Sequence, residues 1–78
     1  MKIGDIVRLK VEDDPYDNLL ATIVGRHGED FQVQFLTSST FHGPMLHDEK
    51  LPIKGNVILC DDTTLILLSP LELLALEA

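Results

Sequence analysis

Seventy-eight residues leave room for one domain, residues 1–78, and exclude a second. Thirteen acidic side chains against six basic ones give a formal charge of −7, which weighs against a partner held through its phosphates and suits an acidic surface that keeps a small domain soluble. Cys60 is the only cysteine, so an internal disulfide is excluded and a reducing compartment is the expectation.

The opening MKIGDIVRLK lacks an apolar run followed by a small-residue cleavage site, so no signal peptide is expected. The longest apolar runs, Val57–Cys60 and Leu65–Leu68, fall far below the ~20 residues that cross a bilayer. A cytoplasmic protein without a membrane partner is therefore expected.

In chain order, the first element predicted is a strand of period two. Ile3, Val7, Leu9 and Val11 share a parity that faces a core, while Arg8 and Lys10 face outward. Gly4 and Asp5 form a turn or bulge at its entry. Glu12, Asp13, Asp14 and Pro15 end it, because proline removes a ladder donor and like charges repel, and residues 12–18 become a loop. The segment from Leu19 to Arg26 is the second strand, with Gly25 marking a bulge or a close backbone approach. His27, Gly28, Glu29 and Asp30 supply a hairpin turn. Phe31, Val33 and Phe35 then alternate with Gln32 and Gln34, the clearest half-buried strand of the chain.

Residues 37–40 are a polar interruption, and Gly43 and Pro44 argue against a regular central strand between Phe41 and Leu51. Gly55 opens a further hairpin, in which Val57–Cys60 and Leu65–Leu68 flank a turn of Asp61, Asp62, Thr63 and Thr64. Both arms are apolar on both faces, so something must cover the second face. Ser69, Pro70 and Glu72 are a helix start: a hydroxyl cap, a proline at the first helical position and a carboxylate to complete a capping box. Leu71, Leu73 and Leu74 of this short helix would pack on the sheet.

These pieces resemble, in order and pattern, an SH3-like barrel: an all-β class of about five strands closed by a short C-terminal helical turn. The residues that carry the resemblance are Gly4–Leu9, Ala21–Gly25, Phe31–Phe35 and the corner from Leu67 to Leu73. Within that architecture the chain is similar to KOW and Tudor-like domains, which bind RNA, ribosomal or polymerase surfaces, or peptides. The signature glycine of that group falls at Gly25, with its flanking basic residues reduced to Arg26. The chain also resembles the plasmid-type dihydrofolate reductases through Gly4, Asp5, Val7 and Arg8 and through Ile23, Val24 and Gly25. Those enzymes line a central pore with a Val-Gln-Ile-Tyr strand, and here Leu65, Ile66, Leu67 and Leu68 stand in its place. The amide and phenol that would read the ligand are missing, so that activity is not expected.

Other constellations point weakly to chemistry. His42 and His47, with Asp48 and Glu49, could meet in a loop, but zinc needs three or four converging ligands and no second Cys/His pair supports them. Asp61 with Asp62, and Asp13 with Asp14, are solvated turn residues before they are catalytic pairs. Glu12, Asp13, Asp14 and Asp17 lack the glycine and terminal glutamate of a calcium loop. Cys60, inside an apolar strand, reads as an inert small hydrophobe, and Ser38, Ser39 and Ser69 lack a nucleophile elbow. No enzyme and no cofactor is expected.

The expected function is a non-enzymatic protein-binding module, acting as a homo-oligomer or as an accessory subunit of a larger complex. Its surface would combine Ile58, Ile66, Leu68, Leu73 and Leu76, since obligate interfaces resemble a core cut in half. One alternative is a KOW-like RNA- or transcription-associated module reading nucleic acid with Arg8, Lys10 and Arg26, a partner the overall acidity disfavours. Another is an acidic inhibitor or nucleic-acid mimic of a mobile element or virus, which would face a basic protein.

Overall fold

The computed structural model describes residues 1–12, 14–39 and 52–77. They form five antiparallel strands in one sheet, a 3-10 turn and one short helix: β1 (Ile6–Leu9), β2 (Leu20–His27), β3 (Asp30–Phe35), β4 (Val57–Cys60), β5 (Leu65–Leu67) and α1 (Pro70–Glu77). The strand order is β4-β3-β2-β1-β5. The chain is thus all-β with a short C-terminal helix, as its alternation and capping residues predict.

The core lies on one face of this sheet. Val7 and Leu9 from β1, Ala21 and Ile23 from β2, and Val33 and Phe35 from β3 are all at most 1% exposed. These residues are the inward parity of each strand, so hydrophobic burial and the two-residue pleat select the same register. Ala21 faces Phe35 across the β2–β3 ladder, a small residue opposite a large one, and Ile23 faces Val33.

Ile3 departs from its expected place. Gly4 adopts φ +96°, and Lys2 and Asp5 close a tight turn around it, with Asp5 N–H donating to Lys2 O at 3.1 Å and Lys2 N–H to the Asp5 carboxylate at 2.9 Å. The turn breaks the period of two before β1 begins, and Ile3 is left 67% exposed.

Gly25 is the bulge. The ladder steps from Ile23 opposite Val33 to Gly25 opposite Gln32, so Val24 is the extra residue. The Gln32 side-chain amide lies across Gly25, in the space a Cβ there would occupy. Beyond the bulge the parity of β2 is inverted: Arg26 now pairs with Phe31 and shares its face.

The apolar strands β4 and β5 do not form the expected hairpin. β4 pairs with β3, β5 pairs with β1, and the two lie at opposite edges of the sheet. The reason is Asp61. Its carboxylate caps a 3-10 turn, accepting from Thr63 N–H at 3.2 Å and Thr64 N–H at 3.3 Å. That turn makes a corner rather than a reversal, and Lys10 N–H captures Thr64 O at 2.9 Å to start the β1–β5 ladder.

The helix start is the reciprocal box its residues predict. Glu72 N–H donates to Ser69 Oγ at 3.2 Å, and Ser69 N–H donates to Glu72 Oε1 at 3.2 Å. Glu72 Oε2 also meets the Arg8 guanidinium at 3.3 Å, fastening the first turn beside β1. Ser69→Ala removes the cap and is expected to cost about 0.5–2 kcal/mol. Thermal melting should show a midpoint lower by several degrees, at about 4–8 °C per kcal/mol in a domain of this size.

Candidate functional site

Among the described residues, much of the apolar surplus of the C-terminal third stays exposed. Ile66 and Leu67 of β5 are 44% and 52% exposed, and β5 is an edge strand. In α1, Leu71 is 77%, Leu74 65% and Leu76 48% exposed. Leu71 and Leu74 are spaced i,i+3 and so are neighbours on one helix face. The capping box, Pro70 and the Arg8–Glu72 pair hold that face in place, because a helix of eight residues does not persist on its own propensity.

The five residues expected to form an interface divide by burial. Ile66 and Leu76 are exposed, and Leu73 is half-buried. Leu68 is only 5% exposed, its N–H bonded to Ile6 O at 3.2 Å, so it is consumed by the domain's own packing. Ile58 is half-buried against the core beside Tyr16 and Cys60. Val57 and Leu59 of β4 are also exposed, at 52% each. The interface expectation omitted them as it did Leu67, Leu71 and Leu74, of which Leu71 and Leu74 do not pack on the sheet as expected. The signal for these last three was the absence of any polar residue between Leu65 and Leu68 and the mixture of leucines around α1, which one covered helix face cannot absorb.

The three cations of the alternative face are not brought together. Arg8 projects from the outer face of β1 and is committed to Glu72. Arg26 follows the bulge and lies over the Phe31 ring at 5.4 Å, on the opposite face of the sheet. Lys10 remains exposed at the end of β1.

The acidic loop between β1 and β2 is built by its own carboxylates. Asp14 accepts from Tyr16 N–H at 2.9 Å and Asp17 accepts from Val11 N–H at 3.1 Å. Ser39 Oγ donates to Pro15 O at 2.7 Å, and the Tyr16 ring meets Phe35 at 5.7 Å between centroids. The left-handed Asn18, φ 62°, returns the chain to β2.

Asp61 is held below its ordinary pKa by the Thr63 hydroxyl, at 2.6 Å, and by the Thr64 and Thr63 N–H groups. A lowered folded pKa means that folding favours the ionised form. Its stabilisation is therefore fully present above the ordinary value of 3.8 and is lost as pH falls below it, through the lower folded value. Asp61→Asn is expected to remove this share of the acid sensitivity, read as a smaller loss of denaturant midpoint between neutral and acidic pH than in the unaltered chain. Cys60 shifts the other way: burial raises its thiol above 9.0, and the nearby Asp61 and Asp30 carboxylates add to that against a lowering bond from Thr64. Such a thiol is a poor nucleophile at neutral pH.

His42, His47, Asp48 and Glu49 lie outside the described residues, as does Asp13. Among the described residues no three potential metal ligands converge, and no helix is long and apolar enough to cross a membrane. Comparison with known proteins finds no family model, no curated protein and no solved structure that matches this chain.

Proposed function

We propose that this chain is a non-enzymatic binding module that works through protein–protein contact, with the surface of β5 and α1 as its docking face. The observation that carries this is the 77% exposure of Leu71 beside the 65% exposure of Leu74, on a helix that the fold otherwise takes care to anchor. Covering such side chains returns about 1.5–3 kcal/mol each on full burial. A standard interface takes about 800 Å² from each partner. The chain exposes 5566 Å² in total.

Within this reading the fold is an SH3-like barrel, supported by a sheet order that places β5 beside β1 and by the 3-10 corner between β4 and β5. The partner is a second copy of the chain or a larger assembly that it joins as an accessory subunit. The absence of an enzymatic role rests on the sequence, where no nucleophile is spaced with a base. The nucleic-acid reading loses support from the pairing of Arg8 and the separate placement of Arg26.

Sedimentation velocity over a concentration series tests the self-association arm. A mass that rises above 8.7 kDa with concentration supports it, and a strict monomer throughout removes it.

A further inference from the structure

A second feature lies apart from α1. Between the β1–β2 loop and the corner after β4 runs a groove of about 430 Å³. Leu9, Ile58, Leu59, Cys60 and Tyr16 supply its apolar lining, and Asp14 and Asp61 are the acidic residues that line it. The two acids come from different elements, Asp14 from the loop and Asp61 from the 3-10 cap. Among the described residues no basic side chain lines the groove.

We infer that this groove binds a short peptide segment that carries a lysine or arginine next to an apolar side chain. The argument is complementarity. An apolar wall wants hydrocarbon, and the acidic residues want positive charge. A basic side chain supplies both, with its methylene stem on the wall and its charged head at the carboxylates. The chain's net charge of −7 steers such a segment toward it. Both carboxylates are already positioned, since each is held by backbone N–H groups, Asp14 by Tyr16 and Asp61 by Thr63 and Thr64. Each can therefore bind a cation without first losing side-chain freedom.

The site contains its own reporters. Tyr16 is the only tyrosine and the chain has no tryptophan, so tyrosine emission reads the groove alone, and Cys60 is the only thiol. The probe is a capped hexapeptide, Ala-Leu-Arg-Leu-Lys-Ala, added to the intact chain. The expected result is a saturable change in Tyr16 emission with Kd below about 1 mM. Cys60 alkylation should slow in parallel as the peptide covers the groove.

Asp14→Asn with Asp61→Asn keeps the oxygen that each N–H uses, so the loop and the cap persist while two charges of the lining vanish. This variant is expected to weaken the peptide about three- to tenfold. Asp5→Asn with Glu29→Gln removes the same charge from turns outside the groove lining and should change the affinity less than about twofold. Equal weakening by both pairs would reduce the effect to general acidity and overturn the site. Undiminished binding after both leucines of the peptide become glutamine would also overturn it, as a bare cation effect, and so would the absence of saturation. The peptide comparisons use the unaltered chain, so they decide the matter even if the double asparagine variant is unstable.

Discussion

Replacing Phe35 by alanine is expected to lower the melting midpoint by at least about 12 °C, the largest loss from any single side chain described above. Phe35 is 1% exposed at the C-terminal end of β3, facing Ala21 on β2, with its ring against Tyr16 of the acidic loop. Its backbone also links β3 to the turn before β4, the N–H donating to Asn56 O and the carbonyl accepting from Gly55 N–H, both at 2.9 Å. Removing a buried phenylalanine costs about 3–5 kcal/mol, through lost transfer energy and the cavity left behind. A domain of this length holds about 4–12 kcal/mol in all. The substitution therefore takes a large share of the whole. Leu71→Ala is the matched control: its side chain is 77% exposed, and the change should stay within about 0.5 kcal/mol. Similar midpoints for the two variants, read by circular dichroism, would show that the core is not where these residues place it.

The second large effect concerns assembly rather than folding. Leu71→Glu with Leu74→Glu is expected to leave the fold intact and to shift a self-associated chain to monomer. Both side chains project from the uncovered side of α1, and glutamate is a good helix former, so the isolated domain should melt near its usual temperature. In an interface the same change buries two carboxylates without partners, at a cost of several kcal/mol. Weakening of association by a hundredfold or more is expected, read as a monomeric mass in sedimentation at concentrations where the unaltered chain is larger. Unchanged mass together with an unchanged melt would place the contact elsewhere. A collapse of the melt would mean that α1 belongs to the core after all.

Much of the fold was legible because local and global signals agreed. Phe31, Val33 and Phe35 alternate with glutamines, and the structure buries those three and no other residue of β3. Ser69, Pro70 and Glu72 encode a helix start in their side chains, and each makes its part of it. What could not be read was long-range. Val57–Cys60 and Leu65–Leu68 carry equal strand signals, and four polar residues between them look the same whether the chain reverses or turns a corner. The choice is made by the hydrogen bonds that Thr63 and Thr64 N–H donate to Asp61 and by the availability of β1, sixty residues away in the Val7–Leu67 pair.

The site was less legible than the fold for a related reason. A single extra residue, Val24, inverts the parity of the end of β2 and separates Arg26 from Arg8, and a bulge has no signature that specifies which face gains a residue. Asp14 and Asp61 read in sequence as loop acids, yet each is a backbone acceptor that fixes its own turn. The groove between them depends on two segments meeting across the sheet, which no local pattern announces.

The position of β1 has a consequence for how the chain comes into being. Strands β2, β3 and β4 can zip as successive neighbours while they emerge from the ribosome. β1 has its first partner early but waits for residues 65–67 before its other side is covered. Until then its free edge is open to any passing strand, a period in which misassembly competes with closure. The strand pairing that comes last in chain order is thus also the one that seals the sheet: Leu65–Leu67 docks on β1, and Glu72 follows to meet Arg8. A ribosomal pause shortly before residues 65–67 would lengthen the vulnerable interval, and uninterrupted elongation would shorten it.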